Sequence, residues 1–260
     1  GLQKQLFVDD YIIEKKEHLT RRVGQARKHG VVLKPTLPTD FQTGKVHDGP
    51  DGGAGYEFGE SAFCWFFSPH WDSDRKLFRL WYMASKRPGS ALAYAESKDG
   101  ITWTKPLISK DGKSNLVNWE SDVPILREKR SRGLVEIGLD GVTVNIDAGV
   151  PWGHPEKYKV AFYPNRGGQD CRTRLGYSAD GIDWKFYNKG LPVTGRAADF
   201  SNQLFWDPPN KRYLLICRED FAAGGGVGEL RGVRIMEHTG GNDLQKHPAA
   251  WRTLTKFVLN

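Results

Sequence analysis

The chain has 260 residues, 12% of them aromatic and 27% charged, with 30 glycines and 14 prolines breaking it every few positions. It is long enough to bury a core, and no stretch approaches the ~18 uninterrupted apolar residues of a membrane span. The formal net charge of +7 gathers in KKEHLTRRVGQARK (15–28) and REKRSR (127–132). Neither cluster interleaves aromatics with its charges, which argues against nucleic acid and leaves solvated loops or attraction to an anionic polysaccharide.

The chain opens at Gly1–Leu2 without Met, as a processed secreted protein or a truncated one does, so an extracellular or periplasmic location is expected. Short aromatic and β-branched runs between breakers predict an all-β protein. The first such run, LFVDDYII, reads as a strand carrying Asp9 and Asp10, one of which can point inward. Loops follow to about residue 55, with His47 in KVHDGP.

From there the chain repeats itself. SKDGITW at 97–103 returns as SADGIDW at 178–184, the two tryptophans 81 residues apart. Ahead of each lies a hairpin pattern of apolar run, polar turn and second apolar run: CWFFSPHWDSDRKLFRLWYMAS, then TVNIDAGVPWGHPEKYKVAFYPN, then QLFWDPPNKRYLLICRED. Asp147 and Asp207 fall where such turns open. A degenerate third copy, RGVRIMEHTGGNDLQKHPAAWRTL, keeps Trp251 without Asp-Gly. Hairpin, third strand and Trp-bearing fourth strand make a four-stranded antiparallel unit, and such a unit repeated along a chain is a β-propeller blade. Three blades are expected, at about 56–110, 135–192 and 196–258, in one domain spanning 1–260. Three do not close a ring, so the propeller is read as incomplete.

Ser-x-Asp-Gly is a turn device. Gly takes positive φ, Ser and Asp cap backbone N–H groups, and the Trp packs beneath. Chemistry is expected instead on first strands, which line a propeller's axis. Glu60, Asp140 and Asp199 each stand six residues before an apolar position of a first strand, namely Phe66, Ile146 and Phe205. Three carboxylates round one funnel suit glycoside hydrolysis, in which one acts as base or nucleophile and another as proton donor. Asp9, Asp10 and Glu219 are the alternative acids. Arg218, Trp65 and His47 are candidates for holding a sugar or its anionic groups. Cys64 and Cys217 sit in apolar runs as packed residues; with Cys171 they form no CxxC, and no HxH or HExxH pattern occurs, so no metal ligand set is read and no cofactor is required. A structural Ca²⁺ and the oligomeric state stay open.

LFVDDYIIE, YAESKDGITWTKPLI, GYSADGIDWKF and WDPPNKRYLLICR together resemble the five-bladed propeller glycosidase superfamily of family 43 arabinanases and β-xylosidases and family 32 invertases and levansucrases. The resemblance spans most of the chain through motifs that are mainly structural. It implies a five-bladed propeller with an Asp base or nucleophile on the first blade, an orienting Asp on the second and a Glu acid on the third. This chain departs from that pattern: it lacks Asn-Asp-Pro-Asn, and Asp199 stands where the third-blade Glu is expected, with Glu219 the alternative. The expected function is therefore exo-acting hydrolysis of a poly- or oligosaccharide. A non-catalytic, lectin-like sugar-binding propeller is the alternative, and a scaffold for protein contacts the third reading.

Overall fold

The computed structural model describes residues 10, 13–42, 61–62, 64–86, 89–120, 127–130, 133–136, 138–165, 172–195, 201–221 and 230–258. The chain divides into Gly1–Val32 and Leu33–Asn260. In the first unit residues 13–32 carry no regular element, and the Asp10 carboxylate pairs with Lys16 at 3.2 Å and with Arg21. In the second, short ribbons β1 (Phe41–Gln42) with β2 (Ser61–Ala62) and β7 (Arg127–Arg130) with β8 (Gly133–Glu136) accompany three larger sheets.

Each larger sheet is an antiparallel meander. The first is β3 (Cys64–Asp72), β4 (Leu77–Lys86) and β5 (Gly89–Ser97). The second is β9 (Gly138–Ile146), β10 (Tyr158–Asn165), β11 (Arg174–Ser178) and β12 (Asp183–Phe186). The third is β13 (Gln203–Asp207), β14 (Arg212–Phe221), β15 (Leu230–His238) and β16 (Trp251–Val258). Two departures from four strands per blade occur. In the first sheet the fourth strand shrinks to two isolated bridges, Thr104 to Glu96 and Leu116 to Ala93, and the second gains an outer parallel strand, β6 (Asn118–Trp119), against β12. Trp119 anchors β6 by stacking on Phe186 at 4.9 Å.

Adjacent first strands are laced together. The Val144 carbonyl of β9 accepts from His70 Nε2–H of β3 at 2.7 Å, and Val144 N–H donates to Ser68 Oγ at 3.0 Å. On its other side, Asn145 Nδ2 donates to the Leu204 carbonyl of β13 at 2.8 Å. The sheets therefore stack face to face with β3, β9 and β13 side by side. Among the described residues of the second unit, these sheets stack as the blades of a partial propeller. One core cluster (Trp81, Met83, Val144, Tyr158, Phe162 and Trp184 among its members) fills the first junction, and another (Leu175, Tyr187, Leu204, Leu215, Cys217) fills the second. The free Cys217 thiol is fully buried, as its apolar context predicts, and burial raises its pKa.

Both junctions share a polar clamp that the apolar pattern hides. Asp72, Asp147 and Asp207 each end a first strand, and Asp72 and Asp147 take backbone N–H groups of the following turn at 2.9 and 2.7 Å. Their second oxygens face the next blade. Asp72 Oδ2 lies 3.4 Å from Arg79 and accepts from Tyr158 Oη at 2.8 Å. Asp147 Oδ2 lies 2.9 Å from Lys159 and accepts from Tyr213 Oη at 2.6 Å. The cation comes from the same blade's second strand and the tyrosine opens the second strand of the next. The register places Phe78 where the tyrosine stands, opposite Trp71, and Leu214 where the cation stands, opposite Phe205, and Asp207 Oδ2 accepts instead from Arg212 Nε at 3.1 Å.

The Ser-x-Asp-Gly turns form as their chemistry predicts. Ser97 Oγ and Asp99 Oδ1 accept from Gly100, Ile101 and Thr102 N–H, and Ser178 and Asp180 repeat this with Gly181, Ile182 and Asp183. In each, the Trp indole donates to the Gly carbonyl at 3.1 Å. These N–H bonds, led by that from Thr102, hold the Asp99 carboxyl well below its ordinary range. The degenerate copy keeps the indole bond, from Trp251 to the Pro248 carbonyl at 2.8 Å, and replaces the Ser–Asp pair with His238, which donates to the His247 carbonyl at 2.7 Å. The second copy also meets the neighbouring blade: Trp81 of the first blade donates to the Gly181 carbonyl at 2.7 Å and Arg79 to that of Asp180 at 2.6 Å.

Burial lowers the pKa of His70 and His238 below the ordinary 6.5, against the opposing pull of their carbonyl acceptors. An unfolded chain takes up these protons at a higher pH than the folded one does. The stability they supply is thus whole above pH 6.5 and is lost as pH falls through the lowered folded values. Tm measured from about pH 7.5 to about pH 5 should fall, and His70→Gln should flatten that slope. An unaltered slope in the variant would rule His70 out as a contributor.

Candidate functional site

Glu60, Asp140 and Asp199 are the acids named from the sequence for the first strands. Among them Asp140 is described, on β9, half-buried and across from Tyr163 of β10. Its position is set by a bulge. Asp140 pairs with Tyr163 and Thr143 with Ala161, so β9 spends one more residue than β10 over this span. Gly141, at φ +56°, takes the left-handed conformation that marks a glycine bulge. The turn of chain this creates aims the Gly141 N–H back at its neighbour, where it donates to Asp140 Oδ1 at 2.8 Å.

The third blade holds the other side of that glycine. Asn202, fully buried at the start of β13, points both its backbone N–H (3.1 Å) and its Nδ2 (3.4 Å) at the Gly141 carbonyl. Thr173, entering β11, donates to Asn202 Oδ1 at 3.0 Å and so fixes the amide's orientation. Asp140, Gly141, Asn202 and Thr173 thereby form one hydrogen-bonded group drawn from three strand starts. Sequence reading missed the last three, although an Asp-Gly inside a strand pattern is a recognised bulge signal.

β3 carries the same bulge, with Trp65 paired to Met83 and Ser68 to Trp81. Counted from the turn aspartates, Trp65 is seven residues before Asp72 and Asp140 seven before Asp147. Trp65, named as a sugar-holding aromatic, is therefore the first-blade register equivalent of Asp140. The spacing to Phe66, Ile146 and Phe205 used to align the acids is not the strand register, because the residues preceding the three turn aspartates are Trp71, Ile146 and Trp206. On the corrected count Asp199 is eight residues before Asp207, close to Asp140's place, and Glu60 is twelve before Asp72. Glu60, Asp199, Asp9 and His47 lie outside the described residues.

Two of the remaining candidates, Asp10 and Glu219, are bonded to cations. Asp10 belongs to the N-terminal unit, where its bonds to Arg21 and then Lys16 lower its pKa. Glu219 is committed to cations: Arg234 Nε lies 3.2 Å from Oε2, and Lys256 donates to Oε1 at 3.2 Å. Arg218 is buried on β14 at 2% exposure rather than presented on an open surface. Asp147 and Asp207 act at their turns, as expected, with Asn210 Nδ2 donating to Asp207 Oδ2 at 2.7 Å. Among the described residues no group of three or more His, Cys, Asp or Glu side chains is placed to hold a metal ion. No described helix is long and apolar enough to cross a membrane.

No protein-family model matches the chain, and no curated protein does. Solved structures are similar in outline. A β-fructofuranosidase from Schwanniomyces occidentalis, complexed with fructosyl-erythritol, aligns over 87% of this chain and 38% of its own, at TM-score 0.46 and 11% identity. A putative glycosidase from Bacteroides thetaiotaomicron aligns over 85% and 58% at TM-score 0.37 and 16% identity. A putative glycoside hydrolase from Parabacteroides distasonis aligns over 87% and 81% at TM-score 0.34 and 10% identity. The chain thus spans well under half the length of the fructofuranosidase it matches. Likeness of this degree says nothing of activity.

Proposed function

We propose that this chain forms part of a glycoside hydrolase in which Asp140 works as a carboxylate on the innermost strand of a propeller funnel. The observation that carries the reading is the glycine bulge at Asp140–Gly141, which holds a half-buried carboxylate at a first-strand start by a backbone N–H bond of 2.8 Å. Such a bond fixes where the carboxylate points. It suits Asp140 to activating water, attacking the anomeric carbon or stabilising the positive charge of an oxocarbenium-like transition state. The proton donor is then sought in Asp199, eight residues before Asp207 as Asp140 is seven before Asp147, and after it in Glu60. We extend the reading to exo action on an oligo- or polysaccharide, to an anionic substrate drawn by the basic segment at 15–28, and to an extracellular or periplasmic setting.

The test is to incubate the protein with a panel of neutral and uronic-acid or sulfated oligosaccharides and to follow anomeric proton signals by NMR. New reducing-end signals are expected, and the first-formed anomer reports retention or inversion. Broadening of the sugar signals without any product, across the whole panel, would favour the lectin-like alternative instead.

A further inference from the structure

We infer that Asn202 is a positioning residue for Asp140: it locks the Gly141 bulge from the neighbouring blade and so sets where the Asp140 carboxylate points. This rests on the hydrolase reading for its consequence in turnover, but the mechanical part stands on geometry alone. Asn202 is fully buried, and its two donors converge on one acceptor, the Gly141 carbonyl, at 3.1 and 3.4 Å. Thr173 Oγ1 occupies the amide's oxygen at 3.0 Å, which leaves Nδ2 aimed at that carbonyl. Gly141 sits at φ +56°, and its N–H is the group that holds Asp140 Oδ1 at 2.8 Å. The chain of constraint therefore runs from Thr173 to Asn202, to the Gly141 carbonyl, to its left-handed backbone, and to the carboxylate. Bulges next to reactive side chains re-aim them, and this one is tied down by a residue of another blade. Asn202 also lies three residues after Asp199 on the same segment. The residue that fixes one candidate acid thus lies three positions along the sequence from another, and the starts of β9 and β13 are coupled by a direct bond.

The experiment compares the wild-type chain with Asn202→Ala and with the near-isosteric Thr173→Val, which only releases the amide's orientation. The proteins are selectively ¹⁵N-glycine labelled. Hydrogen exchange at the Gly141 amide is expected to accelerate roughly five- to tenfold in Asn202→Ala, and less in Thr173→Val, while other glycine amides stay within error. With any oligosaccharide of the panel that the wild type cleaves, kcat should fall on the order of tenfold at unchanged KM. Uniform acceleration of all glycine amides, or none at Gly141, would overturn the inference. So would faster Gly141 exchange with kcat untouched in an active protein. If the wild type cleaves nothing and Gly141 exchange still accelerates selectively, the bulge lock stands and the hydrolase reading fails. Should Asn202→Ala not fold, Thr173→Val alone decides between these outcomes.

Discussion

Replacing Gly181 by alanine is expected to lower Tm by roughly 10 °C, whereas the same change at Gly100 lowers it by only a few degrees. The two glycines occupy the same place in the same motif with nearly the same backbone, at φ +77° and +75°. Either alanine meets the left-handed penalty of about 1–2 kcal/mol. Their surroundings differ. A Cβ on Gly100 would lie 3.5 Å from the Phe78 ring, an ordinary contact, while one on Gly181 would lie 2.4 Å from Cζ2 of Trp81. Trp81 is fully buried and its indole N–H is bonded to the Gly181 carbonyl at 2.7 Å, so the ring has nowhere to retreat. Overpacking adds ~1–3 kcal/mol, which brings the total to roughly 2–5 kcal/mol. Thermal melts of both variants check this, and equal losses would mean that the second loop does not seal the first blade junction.

The second large effect is expected at the other junction. Lys159→Met should destabilise the protein by roughly 3–5 kcal/mol, because it strands the Asp147 carboxylate without its cation. Both partners are almost wholly enclosed, at 2% and 1% side-chain exposure, and lie 2.9 Å apart. The ammonium also reaches Glu156 at 3.3 Å and lies 5.3 Å from the centre of the Tyr213 ring. The companion change Asp147→Asn removes the buried charge while keeping an oxygen for the turn N–H. The double variant should therefore recover a large part of the loss, since a buried ion pair replaced at both ends is often close to neutral. Denaturant unfolding of the two single variants and the double one measures the coupling. Additive losses would show that the two buried charges are not coupled.

These two cases also mark how far the sequence reaches. Ser97-x-Asp99-Gly100 and Ser178-x-Asp180-Gly181 were legible as turn devices because every bond in them is local, within a few residues. The burial of Gly181 under Trp81 was not legible, since that contact joins positions a hundred residues apart. Asp147 and Asp207 could be read as turn openers from their Gly and Pro neighbours. Asp72 was obscured by Asp74 two residues on, and the clamp it makes with Arg79 and Tyr158 has no local signature at all. The three hairpins were visible in their apolar runs, but their mutual register was not. A bulge adds one residue without disturbing the run of hydrophobic positions, so aligning on Phe66, Ile146 and Phe205 shifted the first blade by several residues. Asp140 kept its count because Ile146 does stand directly before its turn aspartate. Strand β6 pairs over only two residues, too few for any periodicity to announce. Glu219 could be picked out as an acid in an apolar strand, yet Arg234 and Lys256, which claim it, come from strands that follow a long intervening segment.

The account rests most heavily on Asp140, and Asp140→Asn addresses it most directly. The change keeps an oxygen to accept the Gly141 N–H while removing the charge. Turnover of whichever oligosaccharide the wild type cleaves should fall roughly 10²- to 10⁴-fold, with Tm unchanged within a degree or two. Turnover equal to that of the wild type, in a variant that is folded and melts normally, would contradict the central claim that the carboxylate on this bulge does the chemistry.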